Sequence, residues 1–308
     1  MITSDIALPK ERIAPRAKWR NYLERDSFLG YVFVAPAVII LLLFIAYPFA
    51  LGIRMSLSQW FVGQPPIFVG LQNFVRNADS TIFTQTVQNT FVYTAIATVL
   101  KLVFGMALAL VLNNTFRCKG LVRAAFLLPW IIPTVLSTLA WLWMFDATFS
   151  VINWCLRSLG LVQRGINWLG DPVLAMGSII VVNAWRGIPF FAISLLAGLQ
   201  TISDELYEAA AIDGATAVQR FRYITVPMIK PVLLVVLLFS IIWTFADFQL
   251  VYVLTRGGPA NSTHLFATLA YQVGVVSGQL GEGAAVSLTM FPILVGVVIV
   301  LLVYLRKE

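Results

Sequence analysis

Six stretches of this chain, Phe28–Ile53, Asn89–Leu112, Ala124–Phe145, Val173–Gln200, Val232–Leu254 and Ala284–Tyr304, are each apolar over a length that crosses a bilayer. A helix needs about 20 such residues to span the hydrocarbon core. With no water there, every backbone N–H and C=O must be satisfied within a helix or around a closed barrel. None of the six shows the period-two alternation of a barrel strand. The expected fold is therefore an all-α membrane protein, a bundle of six transmembrane helices. Composition agrees: 59% of the 308 residues are hydrophobic and 11% charged, where soluble domains carry about 25% charged residues.

The basic residues orient the bundle. On one side lie Lys10, Arg12, Arg16, Lys18, Arg20, Arg25, Arg117, Lys119, Arg123, Arg220, Arg222, Lys230, Arg306 and Lys307; on the other lie only Arg54, Arg76, Arg157, Arg164 and Arg256. The positive-inside rule then places both termini in the cytoplasm. It also explains the net charge of +7 as topology, because the basic residues flank apolar runs instead of forming one basic face for nucleic acid. Residues 1–27 read as a polar cytoplasmic extension, too polar for a signal peptide. Residues 28–308 read as one six-helix transmembrane domain.

Several chemistries are excluded or disfavoured. Cys118 and Cys155 fall on opposite predicted sides, so no disulfide is expected. His264 is the sole histidine, and no Cys/His/Glu cluster has metal-ligand spacing. No catalytic constellation is present: no paired carboxylates and no nucleophile beside a base. No G-x-x-x-x-G-K-[ST] occurs, so the chain has no P-loop for nucleotide phosphates. The chain is expected to be no enzyme and to hold no cofactor of its own. The outer segments carry Trp60, Phe74, Trp154 and Trp168, placed as an interfacial aromatic belt or as a docking surface for an external partner.

Between spans four and five lies a long polar loop, 201–231, on the cytoplasmic side. Ser203 is a good N-cap, followed by Asp204 and Glu205 at the positive end of a helix dipole. Three alanines, Ala209 to Ala211, favour helix and leave a low profile. Gly214 suits a left-handed turn. Ala217 to Ile224 is expected to form a second short helix with Val218, Phe221 and Ile224 on one apolar stripe, closed by Pro227 and Pro231. Antiparallel helices need only about 2 to 8 linking residues, and a loop this long with its own stripe asks for a partner.

The stretch EAAAIDGATAVQRFRYITVP, with Glu208, Ala209, Ala210, Asp213, Gly214, Ala215, Phe221, Ile224 and Pro227 in register, resembles the EAA motif of permease subunits of bacterial ABC importers. VAPAVIILLLFIAYPFALGIRMSLSQW, FVGLQNFVRN and VYVLTRGGPANST are similar to the carbohydrate-uptake branch, the maltose and glycerol-phosphate permease family. The resemblance runs over most of the chain from Leu29 onward; Arg256 departs from it, where the family often has a small residue. It implies the type I ABC importer fold in the inner membrane, and the loop as coupling element. It further implies a homologous second permease, two ATPase subunits holding ATP and Mg, and an external solute-binding protein. By this likeness Glu208 meets the ATPase and Gly214 bends the chain.

Three ionisable residues fall inside spans: Lys101, Arg186 and Asp247. Charge at membrane depth costs about 2.5–3.5 kcal/mol or more and marks function by default, although a structural pair also accounts for it. Asn183, Trp185 and Arg186 precede Pro189, where a broken helix can face a cavity. Asp247 sits with Trp243, Phe248 and Tyr252, a mixture of rings and hydrogen-bonding groups that suits a sugar, or plain helix packing. These residues are the expected pathway. The competing function is a secondary transporter driven by an ion gradient through Lys101, Arg186 and Asp247.

Overall fold

The computed structural model describes residues 26–114 and 117–306. The N-terminal extension up to Arg25, with its six basic residues, and the C-terminal pair Lys307 and Glu308 lie outside the described residues. The chain divides into two units, one ending at Gly52 and one beginning at Ile53. Helix α1 (Asp26–Leu41), in the first, widens into a π-turn at Leu42–Ala46 and resumes as α2 (Tyr47–Ser56), which runs on past Gly52. The Tyr47 N–H reaches back to the Leu42 carbonyl, five residues away. Pro48, next in the chain, has no N–H and crowds the carbonyl four residues earlier, and a widened turn ahead of it relieves both defects.

The second unit opens with a two-stranded hairpin, β1 (Ser58–Gln59) against β2 (Ile67–Phe68), and the short helix α3 (Gln72–Asp79). Asn73, buried, donates its amide to the Ser56 and Ser58 carbonyls at 2.8 and 2.9 Å. Helix α4 (Thr81–Asn113) follows, capped by Ser80. At 33 residues it is about 50 Å long and starts a full two turns before the expected span two. It packs along α8 (Pro172–Leu199), the expected span four. Gly105 allows this: a Cβ there would lie 2.4 Å from Phe191 Cβ. Tight approach through a small residue is the usual device where lipid supplies no hydrophobic drive between helices.

Three expectations need correction. Span three is not one helix: α5 (Lys119–Ile131) and α6 (Thr134–Met144) meet at 88°. Pro133 forces Ile132 into extended backbone (φ −62°, ψ 131°) and donates nothing to the helix ladder. Span five is likewise interrupted. Helix α11 (Val226–Phe245) ends in a tight turn in which Asp247 N–H reaches the Thr244 carbonyl, and α12 (Gln249–Leu254) starts anew. In span four the expected break at Pro189 is absent, since α8 runs through it with the ring buried; neighbouring helices make an interior proline tolerable in a membrane. Among the described residues five helices are long and apolar enough to cross a bilayer, and the bent pair makes a sixth.

The segments taken as outer connectors hold structure of their own: α7 (Val151–Ser158), α13 (Phe266–Tyr271) and a π-turn at Gln272–Val276. Trp168 is no free belt residue there. Its Nε1 donates to Asn153 Oδ1 at 3.0 Å, and the ring packs on Phe145. The last helix, α14, spans Leu280–Arg306. Cys118 and Cys155 are free thiols.

Candidate functional site

Helix periodicity brings the intramembrane charges together. On α8, Asn183, Arg186, Gly187 and Phe190 fall three or four residues apart and so share one face. On α11, Ser240, Trp243 and Thr244 do the same, with Asp247 in the break just beyond. Helix α4 supplies Tyr93 and Lys101, and α5 supplies Trp130. Lys101, Trp130, Asn183, Arg186, Gly187, Phe190, Trp243, Thr244 and Asp247 line one cleft of about 90 Å³. Gly187 makes room for the Lys101 stem, which a Cβ would meet at 2.2 Å.

The polar groups form a chain of hydrogen bonds across three helices. Lys101 Nζ donates to Thr244 Oγ1 at 2.6 Å and to Asn183 Oδ1 at 3.0 Å. The Asn183 amide donates to Asp247 Oδ2 at 2.9 Å, and Tyr93 Oη donates to the same oxygen at 2.7 Å. Asp247 Oδ1 accepts the Leu250 N–H at 3.4 Å, holding the start of α12. Asp247 thus forms the break in span five as well as charging the cleft. Arg186 stands apart, for its buried Nε has no partner among the described residues. Opposite lies an aromatic wall: Trp130 stacks on Phe190 at 5.1 Å, and Trp243 leans on both at 5.6 and 5.2 Å.

Of the expected pathway residues, Asn183, Arg186, Trp243 and Asp247 meet here together with Lys101. Trp185, Phe248 and Tyr252 do not. Trp185 packs edge-on against Trp141, while Phe248 and Tyr252 stack on each other and meet Tyr271 edge-on. Reasoning from sequence missed Tyr93, Trp130, Phe190, Ser240 and Thr244. The three- and four-residue spacing from Asn183 and Asp247 was a signal for Phe190, Ser240 and Thr244; nothing local marked Tyr93 or Trp130.

The polar loop forms a second site. Ser203 caps α9 (Asp204–Ile212) by accepting the Glu205 N–H at 3.3 Å. Gly214, at φ +81°, ends it: its N–H reaches the Ala211 carbonyl, and the Ala215 N–H reaches that of Ala210, the paired bonds of a Schellman turn. Thr216 and Gln219 then cap α10 (Ala217–Arg220) reciprocally. The second arm is not a separate helix closed by prolines. It runs on through a π-turn at Phe221–Thr225 into α11, making one helix from Ala217 to Phe245. As at Pro48, the widening lets Pro227 stay in the helix.

The stripe divides accordingly. Phe221 and Ile224 pack inward with Tyr207 against Leu199, Ile202 and Ile229, whereas Val218 is 74% exposed. Tyr207 Oη and Thr225 Oγ1, 2.9 Å apart, tie the two arms. Of the motif residues, Glu208, Ala209, Asp213, Gly214 and Pro227 are exposed, and Ala210 and Ala215 half-buried.

These features define a multi-pass membrane protein with a charged intramembrane cleft and a capped, two-armed loop outside the bundle. The chain belongs to the family described as binding-protein-dependent transport system inner membrane component, which it matches over residues 101–306. It is thus an inner-membrane permease subunit of the ABC importer kind. It is 36% identical to the trehalose/maltose transport system permease protein MalF of Thermococcus litoralis over 90% of this chain and 94% of that one. It is also 36% identical to the sulfoquinovosyl glycerol transport system permease protein SmoG of Agrobacterium fabrum, over 97% and 96%. Among solved structures, a bacterial ABC transporter involved in the import of the acidic polysaccharide alginate superposes with a TM-score of 0.80 at 24% identity, covering 94% of this chain and 98% of that one. A second, in complex with an alginate pentasaccharide-bound periplasmic protein, gives 0.77 at 22% identity over 92% and 95%. These last two speak for the fold.

Proposed function

We propose that the chain is one of two permease halves of an ATP-driven importer for a carbohydrate or carbohydrate derivative. In this reading 28–308 is the transmembrane domain and both termini are cytoplasmic. Loop 201–231 transmits the closure of separate ATPase subunits, which bind the ATP and Mg, while an external solute-binding protein delivers substrate. The observation that carries it is the division of the loop. Phe221, Ile224 and Tyr207 anchor it to the bundle, while Glu208 on α9, and Asp213 and Gly214 on the turn that ends it with paired hydrogen bonds, are exposed. A mere connector has no need of an outward face so firmly set. The names of the two relatives, one for trehalose and maltose and one for a sulfonated sugar glycoside, support the carbohydrate class.

The cleft is the segment of the pathway that this half contributes, with ring faces on one wall and donors and acceptors on the other. Family membership favours this reading over a gradient-driven carrier using Lys101, Arg186 and Asp247. Purification of the tagged subunit in mild detergent, followed by reconstitution, tests it. Recovery of a P-loop ATPase with a second EAA-bearing permease, and uptake that requires ATP, is the expected result. A chain that purifies alone and moves solute without ATP overturns it.

A further inference from the structure

Hydrogen-bond capacity in the cleft is unevenly used. Asp247 accepts from Tyr93, Asn183 and Leu250, and Lys101 donates to Thr244 and Asn183. Each of these charges is satisfied by the protein. Arg186 is different: its Nε is buried and has no hydrogen-bond partner among the described residues, and its charge acts on Asp247 only at a distance, without an ion-pair contact. A guanidinium offers five N–H donors in a planar fork matched to oxyanions. Leaving a buried donor of a charged group unmet is costly, and this one lies at a lined cavity. The cavity, at about 90 Å³, has room for a carboxylate or sulfonate head. Beside it the Trp130, Phe190 and Trp243 wall, with Trp243 48% exposed, offers flat apolar faces of the size on which the CH face of a pyranose stacks.

We infer that the transported carbohydrate is anionic, and that Arg186 holds its carboxylate or sulfonate while the aromatic wall holds the ring. The inference rests on the reading of this cleft as part of the pathway. Asp247, the one carboxylate in the cleft, does not repel such a substrate strongly, because Tyr93 and Asn183 donate to its Oδ2, Lys101 lies one amide away and the Arg186 charge acts on it.

The test is a tryptophan-fluorescence titration of the purified permease complex with glucuronate and with glucose, which differ at one carbon. Trp130 and Trp243 report directly. Glucuronate is expected to give a saturable change at least about ten-fold tighter than glucose, weakening with added salt as an ion contact does. Arg186→Gln is expected to lower glucuronate affinity by about 10- to 100-fold, the range for a lost charged hydrogen bond, with the ATPase still co-purifying; Arg186→Lys keeps part of the preference. Equal affinity for the two sugars, no saturable response to glucuronate, or an unchanged preference in Arg186→Gln overturns the inference. Should that variant not assemble, the wild-type comparison decides alone. Failure of the importer reading shows separately, as a complex without ATPase.

Discussion

Asn183 presents its side-chain carbonyl to Lys101 at 3.0 Å and its amide to Asp247 at 2.9 Å, so one neutral residue joins a buried cation on α4 to a half-buried anion in the break of span five. Replacing it by Leu leaves both charges short of a partner, at about 1–3 kcal/mol for each unmet group. Asn183→Leu is expected to lower the thermal unfolding midpoint of the purified complex. The pair Lys101→Met with Asp247→Leu is expected to cost less than either single change, since removing one partner strands the other. Additive losses in that double-mutant cycle would show that the groups act independently.

Gly214 governs the outward turn through its backbone alone. Its φ is +81°, yet a Cβ there would meet nothing within 4 Å. The left-handed conformation costs an ordinary residue about 1–2 kcal/mol, more for a β-branched one, and Asn tolerates it best. Gly214→Val is therefore expected to abolish ATP-dependent uptake in proteoliposomes while the subunit still inserts, and Gly214→Asn to retain most of it. Equal uptake by both variants would remove the turn from the coupling path.

Gly105 and Gly177 separate close packing from mere helix content. A Cβ at Gly105 falls 2.4 Å from Phe191 Cβ, an atom that moves only with its backbone, while a Cβ at Gly177 meets nothing within 4 Å. Gly105→Ala is expected to destabilise by about 1–3 kcal/mol, as overpacking does. Gly177→Ala is expected to be neutral or to stabilise by up to about 1 kcal/mol through helix propensity. Thermal unfolding of the two variants side by side checks both signs.

The loop after α12 contains His264, the sole histidine of the chain. His264 is 3% exposed, lies 3.2 Å through Nδ1 from Thr268 Oγ1, and leaves no room for a Cβ on Gly257. Burial pushes its imidazole below the ordinary value. The opened loop titrates near pH 6.5. Above that pH the ring is neutral in both forms and pH has no effect; below it the opened loop takes up a proton that the closed one resists, so closure weakens. Amide hydrogen exchange over 255–265, corrected for intrinsic rate, is expected to lose protection between about pH 7 and pH 5, and His264→Phe to flatten the change.

Apolar length showed the spans, because a bilayer imposes a minimum run on any helix that crosses it, and capping chemistry showed the loop, because Ser203 and Gly214 act within a few residues. What stayed hidden was decided at a distance. Pro133 and Pro189 are both prolines in apolar runs, yet one divides a span and the other is absorbed, and only the packing of α8 against its neighbours tells them apart. Tyr93 reaches Asp247, and Trp130 the cleft, from helices whose rotation no local pattern reveals. Phe248 and Tyr252 looked like site residues by nearness to Asp247, but their rings pack on each other and on Tyr271 and do not line the cleft.

The helix from Ala217 to Phe245 is 29 residues without interruption, about 44 Å of rod. One end is seated by Tyr207 at the exposed loop and the other carries Trp243 and Thr244 to the wall of the cleft. A lever of this kind yields at the widened turn at Phe221–Thr225 and at Pro231; beyond them a tilt of its loop-side arm is carried toward Lys101, whose amine hangs from Thr244.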